Sequence, residues 1–151
     1  MNLIQYQSSI QFKTEGGQKK LWDIVRNKWI YVTPEEVVRQ CVLWYMIDDK
    51  KYSKRLIAVE KSITYYKVKK RFDIVVFNKK LAPIILVECK SPEVALDQKS
   101  LNQIQTYDHI INGQHLWLTN GHENIILAKS AEDDQVRSLV DIPSKQERKE
   151  G

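Results

Sequence analysis

The sequence predicts an α/β layer fold, and three observations carry that expectation. Short apolar runs of strand length recur at residues 56–68, 72–77, 84–89, 115–119 and 124–129. Two stretches of helical period interrupt them, one opening at Thr33 and one over about 96–111. The resulting order is helix, several strands, helix, then strands, which fits helices layered on a sheet.

At 151 residues the chain fits one domain with a core of its own, assigned here to residues 1–143. Residues 144–151 are polar and charged and read as a disordered tail. Hydrophobic residues make up 42% and charged residues 28%, an ordinary globular profile. No apolar run reaches the roughly 18 residues of a membrane span, and the start shows neither a basic nor an apolar leader segment. Cys41 and Cys89 are too far apart in sequence for a zinc knuckle and fit a reducing compartment, so a cytoplasmic location without membrane contact is expected.

Each element has a local reason. Gly16-Gly17 marks a turn, and residues 20–32, rich in Trp, Ile, Val and Tyr, read as an N-terminal extended segment. Thr33-Pro34-Glu35-Glu36 opens a helix, with Thr33 as N-cap, Pro34 in the first helical position and Glu36 closing a capping box. Val38, Cys41, Val42 and Tyr45 follow at helical spacing, which carries the helix to about Asp48. Residues 56–68 hold one or two strands. Residues 72–77 and 84–89 form a hairpin pair around a loop at 78–83, and Ser91-Pro92 stops the second strand. After the helix over 96–111, two strands flank the turn signal Asn120-Gly121.

The net charge is +5, with basic clusters at Lys50, Lys51, Lys54, Arg55 and at Lys67, Lys69, Lys70, Arg71. Such clusters attract phosphate backbones without sequence preference, and equally occur as plain solvated loops. The hairpin is more specific. If Phe77 pairs with Ile84, counting back along the antiparallel strands places Asp73 opposite Glu88, and alternation puts Lys90 on the same face. Opposed Cβ atoms lie about 4.5–5.5 Å apart, so two such carboxylates require a cation between them or a shared proton. Mg²⁺ accepts oxygen ligands and keeps several waters, which suits an open two-acid site. The bland alternative is a strand-end acid pair with Lys90 as its salt-bridge partner, worth about 0–1 kcal/mol.

Asp73 followed by Glu88-Cys89-Lys90 resembles the D…(D/E)xK signature of PD-(D/E)XK nucleases. Residues 22–29, 33–40, 57–61 and 86–92 further resemble the N-terminal nuclease domain of type I restriction enzyme R subunits, over about 20–127 in all. The resemblance implies a restriction-endonuclease-like fold: a central mixed sheet flanked by helices with an αβββαβ core. It implies a Mg²⁺-dependent deoxyribonuclease, with Mn²⁺ as substitute. Asp73 and Glu88 would be metal ligands, joined by the Cys89 backbone carbonyl, and Lys90 the catalytic lysine. Gln103 and Tyr107 match a QxxxY motif; four residues apart, they share a helix face and would bind substrate. Lys69, Lys70 and Arg71 would hold the DNA backbone. The first helix would add a carboxylate, Glu35 in preference to the capping Glu36. Residue by residue, Gln103 as an exposed helix residue and Tyr107 as a core aromatic are the plainer readings.

No GxxxxGK[ST] loop occurs, so the helicase motor of R subunits is not encoded in these residues. A stand-alone nuclease domain is expected, with DNA as partner; a homodimer and a restriction-system or helicase partner are left open. The rival from another class is a catalytically silent DNA-binding or assembly module. His109, His115 and His122 lack HxxxH spacing and no GxSxG elbow occurs, which leaves other hydrolase classes unsupported. Under the nuclease reading Asp73→Ala or Glu88→Ala is expected to end cleavage at little cost in stability, because the surviving acid loses a repulsive neighbour.

Overall fold

A 3-10 turn over Leu3–Ser9 leads into three short strands, β1 (Phe12–Glu15), β2 (Gln18–Asp23) and β3 (Lys28–Tyr31), paired antiparallel as one sheet. The computed structural model describes residues 1–65, 67–105, 114–130, 132–133 and 135–145. The β1–β2 turn is Gly16-Gly17, both left-handed at φ 58° and 76°, the geometry a two-residue type I′ hairpin demands. The expected extended segment at 20–32 is therefore a hairpin in its own right. Asp23 breaks it, because its Oδ1 accepts the N–H groups of Val25 and Arg26 at 2.9 and 2.8 Å and folds the chain into a turn.

Helix α1 (Pro34–Trp44) starts as the sequence predicts, with Thr33 Oγ1 accepting the Glu36 N–H at 3.1 Å. The reciprocal half of the capping box is replaced: the Glu36 carboxylate turns to Arg39 at 2.7 Å. The helix passes directly into a π turn over Tyr45–Asp49, so the helical path reaches the expected end near Asp48. Val38, Cys41, Val42 and Tyr45 are all buried, as their spacing requires, and Arg39 and Gln40 are buried beside them.

The main sheet has six strands: β4 (Ile57–Tyr65), β5 (Val68–Phe77), β6 (Pro83–Cys89), β7 (His115–Thr119), β8 (Asn124–Lys129) and β9 (Val136–Leu139), hydrogen-bonded in that order. Only β6 and β7 run parallel, and the connection between them carries helix α2 (Gln98–Gln105). The observed order α1-β4-β5-β6-α2-β7 is the αβββαβ succession, with β8 and β9 added at the edge. Strand β9 has no counterpart in the sequence reading, since Val136-Arg137-Ser138-Leu139 shows neither an apolar run nor clean alternation. At the other end of the chain, Tyr52 Oη donates to the Pro143 carbonyl and the Lys145 N–H to the Lys50 carbonyl, which ties residues 143–145 to the body. Residues 146–151 of the expected tail lie outside the described residues.

Two apolar layers cover the sheet. One joins Ile74, Val76, Ile85, Val87 and Trp117 to Val38, Cys41 and Val42 of α1 and to Leu21 of β2. The other gathers Phe72, Val75, Leu86, Leu116 and Leu118 on the opposite side. The β7–β8 turn closes the first layer: Gly121 (φ 93°) accepts the Leu3 N–H, and a Cβ there would stand 2.7 Å from Ile4 Cδ1.

Candidate active site at the end of the β5–β6 hairpin

Strands β5 and β6 pair as Ile74↔Val87, Val75↔Leu86 and Val76↔Ile85, then slip at the loop end so that Phe77 meets Pro83 rather than Ile84. The anchor pair expected from the sequence is displaced by this bulge, yet the register behind it is the expected one. The next step of the same ladder would oppose Asp73 and Glu88. The ladder stops one step short of that pair.

Asp73 is released from its neighbours on both sides. In the β4–β5 ladder Val59 pairs with Ile74 and Lys61 with Phe72, and between them Glu60 and Asp73 are unpaired, Glu60 at φ 54°. Strict alternation would place residues 72, 74 and 76 on one face. Phe72 instead belongs to the second apolar layer and Ile74 and Val76 to the first. The strand therefore changes face at Asp73. This frees its side chain to accept the Cys89 N–H on Oδ2 at 2.7 Å, closing the gap where the ladder ends.

The two acids then turn to different partners. Asp73 Oδ1 lies 3.3 Å from Arg39 Nη2, whose side chain is only 4% exposed and also meets Glu36 at 2.7 Å and Glu60 at 3.7 Å. Glu88 Oε1 lies 2.8 Å from Lys70 Nζ. Lys70, read from the sequence as a phosphate contact, is thus engaged by an acid of the site. Lys69 is exposed, and Arg71 reaches Glu60 at 3.9 Å. The charge compensation that the sequence assigned to Lys90 comes from Arg39 and Lys70. Arg39 is the residue that sequence reasoning missed. A cation inside the apolar run Val37-Val38-Arg39-Gln40-Cys41-Val42, one turn after Glu35 and Glu36, was the available signal.

Lys90 leaves β6 with its N–H donating to the Thr119 carbonyl at 2.8 Å, and among the described residues no carboxylate lies within ion-pair distance of its ammonium. Glu35 shares the field of this group. Loss of hydration raises its pKa from 4.5, the charge of Asp73 raises it further, Arg39 and Lys90 oppose, and Glu88 adds to the rise. Glu36 is also raised, first by burial, but its charged neighbours are Arg39, Arg26, Asp23 and Glu60. The Cys89 thiol is pushed well up by burial and by Asp73, which leaves it a protonated, unreactive core group. Gln103 falls in α2, of which only the backbone path is described there, and Tyr107 lies outside the described residues.

Among the described residues no three His, Cys, Asp or Glu side chains are gathered as a ready ion-binding group. The donors on offer suit Mg²⁺ in kind: carboxylate oxygens from Asp73, Glu88 and Glu35 are hard ligands, and the Cys89 thiol is held protonated by burial.

Fold and site together define a mixed α/β domain with acids and a lysine grouped at the open end of a central hairpin. Residues 34–143 match the type I restriction enzyme R protein N terminus (HSDR_N) family, and the chain belongs to that family. Among solved structures, the fold resembles a fragment from Vibrio vulnificus YJ016 described as an HsdR subunit of a type I restriction enzyme. The TM-score is 0.50 and the identity 20%, over 75% of this chain and 24% of that one. The chain therefore spans about a quarter of the length of that subunit fragment. No curated protein sequence matches the chain. In the described residues no helix is long and apolar enough to cross a membrane.

Proposed function

We propose that this domain is a metal-dependent deoxyribonuclease of a restriction system. One observation carries the reading: in a chain of the R-protein N-terminal family, Asp73, Glu88, Lys90 and Glu35 fall within one electrostatic neighbourhood at the end of β5–β6. Asp73 and Glu88 would hold Mg²⁺ or Mn²⁺, with Glu35 and the Cys89 carbonyl available as further oxygen ligands. The ion would supply an activated water and charge stabilisation at the scissile phosphate. Lys90, with no carboxylate at ion-pair distance among the described residues, orients the water or the phosphate oxygen. Lys69 and Arg71 draw in the DNA backbone by charge, so binding weakens as salt rises. The remaining subunits of a type I system, a helicase motor among them, are the partners this reading calls for.

The second reading is a silent DNA-binding or assembly module, and it too has an observation in its favour: Asp73 and Glu88 each already sit on a protein cation. Incubation of supercoiled plasmid with the protein and Mg²⁺ or Mn²⁺ separates the two. The nuclease reading expects nicking that Asp73→Asn, Glu88→Gln and Lys90→Ala each abolish. Persistent DNA binding with no nicking under either metal would leave the silent module.

A further inference from the structure

The β1–β3 sheet lies N-terminal to the family match and turns one face away from both apolar layers. Its inner face is fixed by the pairs Phe12↔Leu21 and Leu21↔Ile30, which pack on the core. Alternation then places Lys13, Glu15, Lys20, Trp22, Trp29 and Tyr31 together on the outer face, where Lys13 opposes Lys20, Lys20 opposes Tyr31 and Trp22 opposes Trp29, and Glu15 lies 2.6 Å from Lys13 Nζ and 3.9 Å from Lys20 Nζ. The two indoles meet edge to face with centroids 5.3 Å apart. Lys13 Nζ stands 4.5 Å from the Trp29 ring and Lys20 Nζ 5.3 Å from the Tyr31 ring. Neither tryptophan belongs to a core cluster, and Tyr31 is 61% exposed.

Trp22 and Trp29 are half-buried and stabilise each other edge to face, and Tyr31 is exposed, so part of each ring remains open to solvent on this sheet. Charge narrows what that open surface can bind. Between Phe12 and Tyr31 five Lys and Arg stand against two Asp and Glu, and on the outer face itself Lys13 and Lys20 stand against Glu15, a net positive face. Rings for stacking, interleaved with ammonium groups for phosphate, are what unpaired nucleotides require. A duplex buries its base faces in its own stack and offers them to no sheet.

We propose that the outer face of β1–β3 is a binding platform for single-stranded DNA, with bases stacking on Trp29, Tyr31 and Trp22 and phosphates displacing Glu15 from Lys13 and Lys20. The platform adjoins the candidate active site. At the β2–β3 turn Arg26 contacts Asp23 at 2.6 Å and Glu60 at 3.2 Å, and Glu60 is the residue unpaired opposite Asp73. A strand seated on the tryptophans is thus one side-chain network away from the acids. The stacking does not rest on catalysis; the commitment to DNA over RNA rests on the substrate proposed above.

The test is fluorescence anisotropy of the full chain with a labelled oligo-dT of about 20 nucleotides, in EDTA so that cleavage plays no part. Oligo-dT is expected to bind more tightly than the matched dA·dT duplex or oligo-rU. Tyr31→Ala, at an exposed position, and Trp29→Ala are each expected to weaken it about 5- to 100-fold, while Trp29→Phe retains most of the affinity. Lys13→Gln is expected to weaken binding less and to flatten its salt dependence. Parental affinity in a Tyr31→Ala protein with unchanged circular dichroism overturns the platform. So does duplex binding as tight as oligo-dT binding, or affinity lost with the lysine and kept without the rings; a preference for oligo-rU overturns the assignment to DNA. A protein that binds oligo-dT through this face yet never nicks plasmid keeps the platform and loses the nuclease.

Discussion

The hairpins β2–β3 and β5–β6 each carry a notable cross-strand pair, and they treat it in opposite ways. Trp22 and Trp29 are paired residues in an intact ladder, ring against ring. Asp73 and Glu88 stand in the register that would pair them, but the ladder ends at Ile74↔Val87 and the acids go to separate cations. The chemistry of the pair sets the outcome. Opposed aromatics attract and reinforce a ladder, whereas opposed carboxylates repel unless something positive intervenes. Beside that hairpin the β4–β5 ladder is interrupted at Glu60 and Asp73, where β5 changes face and delivers Asp73 to a buried guanidinium. A polar site is thereby held by counter-ions and one backbone hydrogen bond, while the aromatic surface is held by its own ladder.

The largest expected effect tests the counter-ion half of this contrast. Arg39→Met leaves Asp73, Glu36 and Glu60 without their shared cation in a nearly buried setting. A loss of about 3–5 kcal/mol is expected, a fall in Tm of roughly 6–20 °C for a domain of this size. A fall of under about 3 °C in thermal denaturation would show that the guanidinium does not hold the acids.

Asp73→Ala comes next. The sequence suggested little cost, through relief of repulsion with Glu88. The geometry reverses that expectation, because Asp73 accepts the Cys89 N–H and pairs with Arg39. The Cys89 N–H would lose its acceptor and Arg39 one of its three acids, at a cost of about 2–4 kcal/mol by chemical denaturation. Stability equal to the parent would restore the picture of two mutually repelling acids.

A smaller effect, of opposite sign, concerns Glu35. Its pKa is raised above 4.5 by lost hydration and by Asp73, so the folded state holds the proton more tightly than the unfolded chain. Stability on this account is full below the ordinary value and is lost as pH climbs through the raised one. Because the side chain remains exposed, Glu35→Gln should raise Tm only slightly in EDTA at pH 7, with the gap closing toward pH 4. A gap that widens as pH falls would contradict the placement of Glu35 beside the acids. Smallest of all, Lys90→Ala has no ion pair to lose among the described residues and should change stability by less than about 0.5 kcal/mol. A larger loss would mean that Lys90 is a structural partner of the acids after all.

Much of this was legible in one dimension. Helix α1 could be read because capping and period are local: Thr33, Pro34 and the spacing of Val38, Cys41 and Val42 needed no tertiary knowledge. Strands β5 and β6 could be read where they are apolar, over 72–77 and 84–89, while the Lys69-Lys70-Arg71 part of β5 was not, and the register of Asp73 against Glu88 followed by counting even though the pair chosen to anchor the count was displaced by a bulge. Strand β1 and strand β9 were missed because neither carries an apolar run; β9 gains its structure by adding to an edge already formed. The hairpin within residues 20–32 was missed because Asp23 acts through backbone N–H groups of the next few residues, a turn signal concealed inside an apolar stretch.

The sequence by itself determined which residues could form helices and strands, and the register in which β5 and β6 would run, because those properties depend on period, caps and neighbour counting. Tertiary structure alone decided where the acids' charge is answered. Arg39 is an α1 residue 34 positions before Asp73, and a buried guanidinium meets an acid only once helix and sheet have packed. Electrostatic compensation in a core is a matter of distance in space, and chain order does not record it.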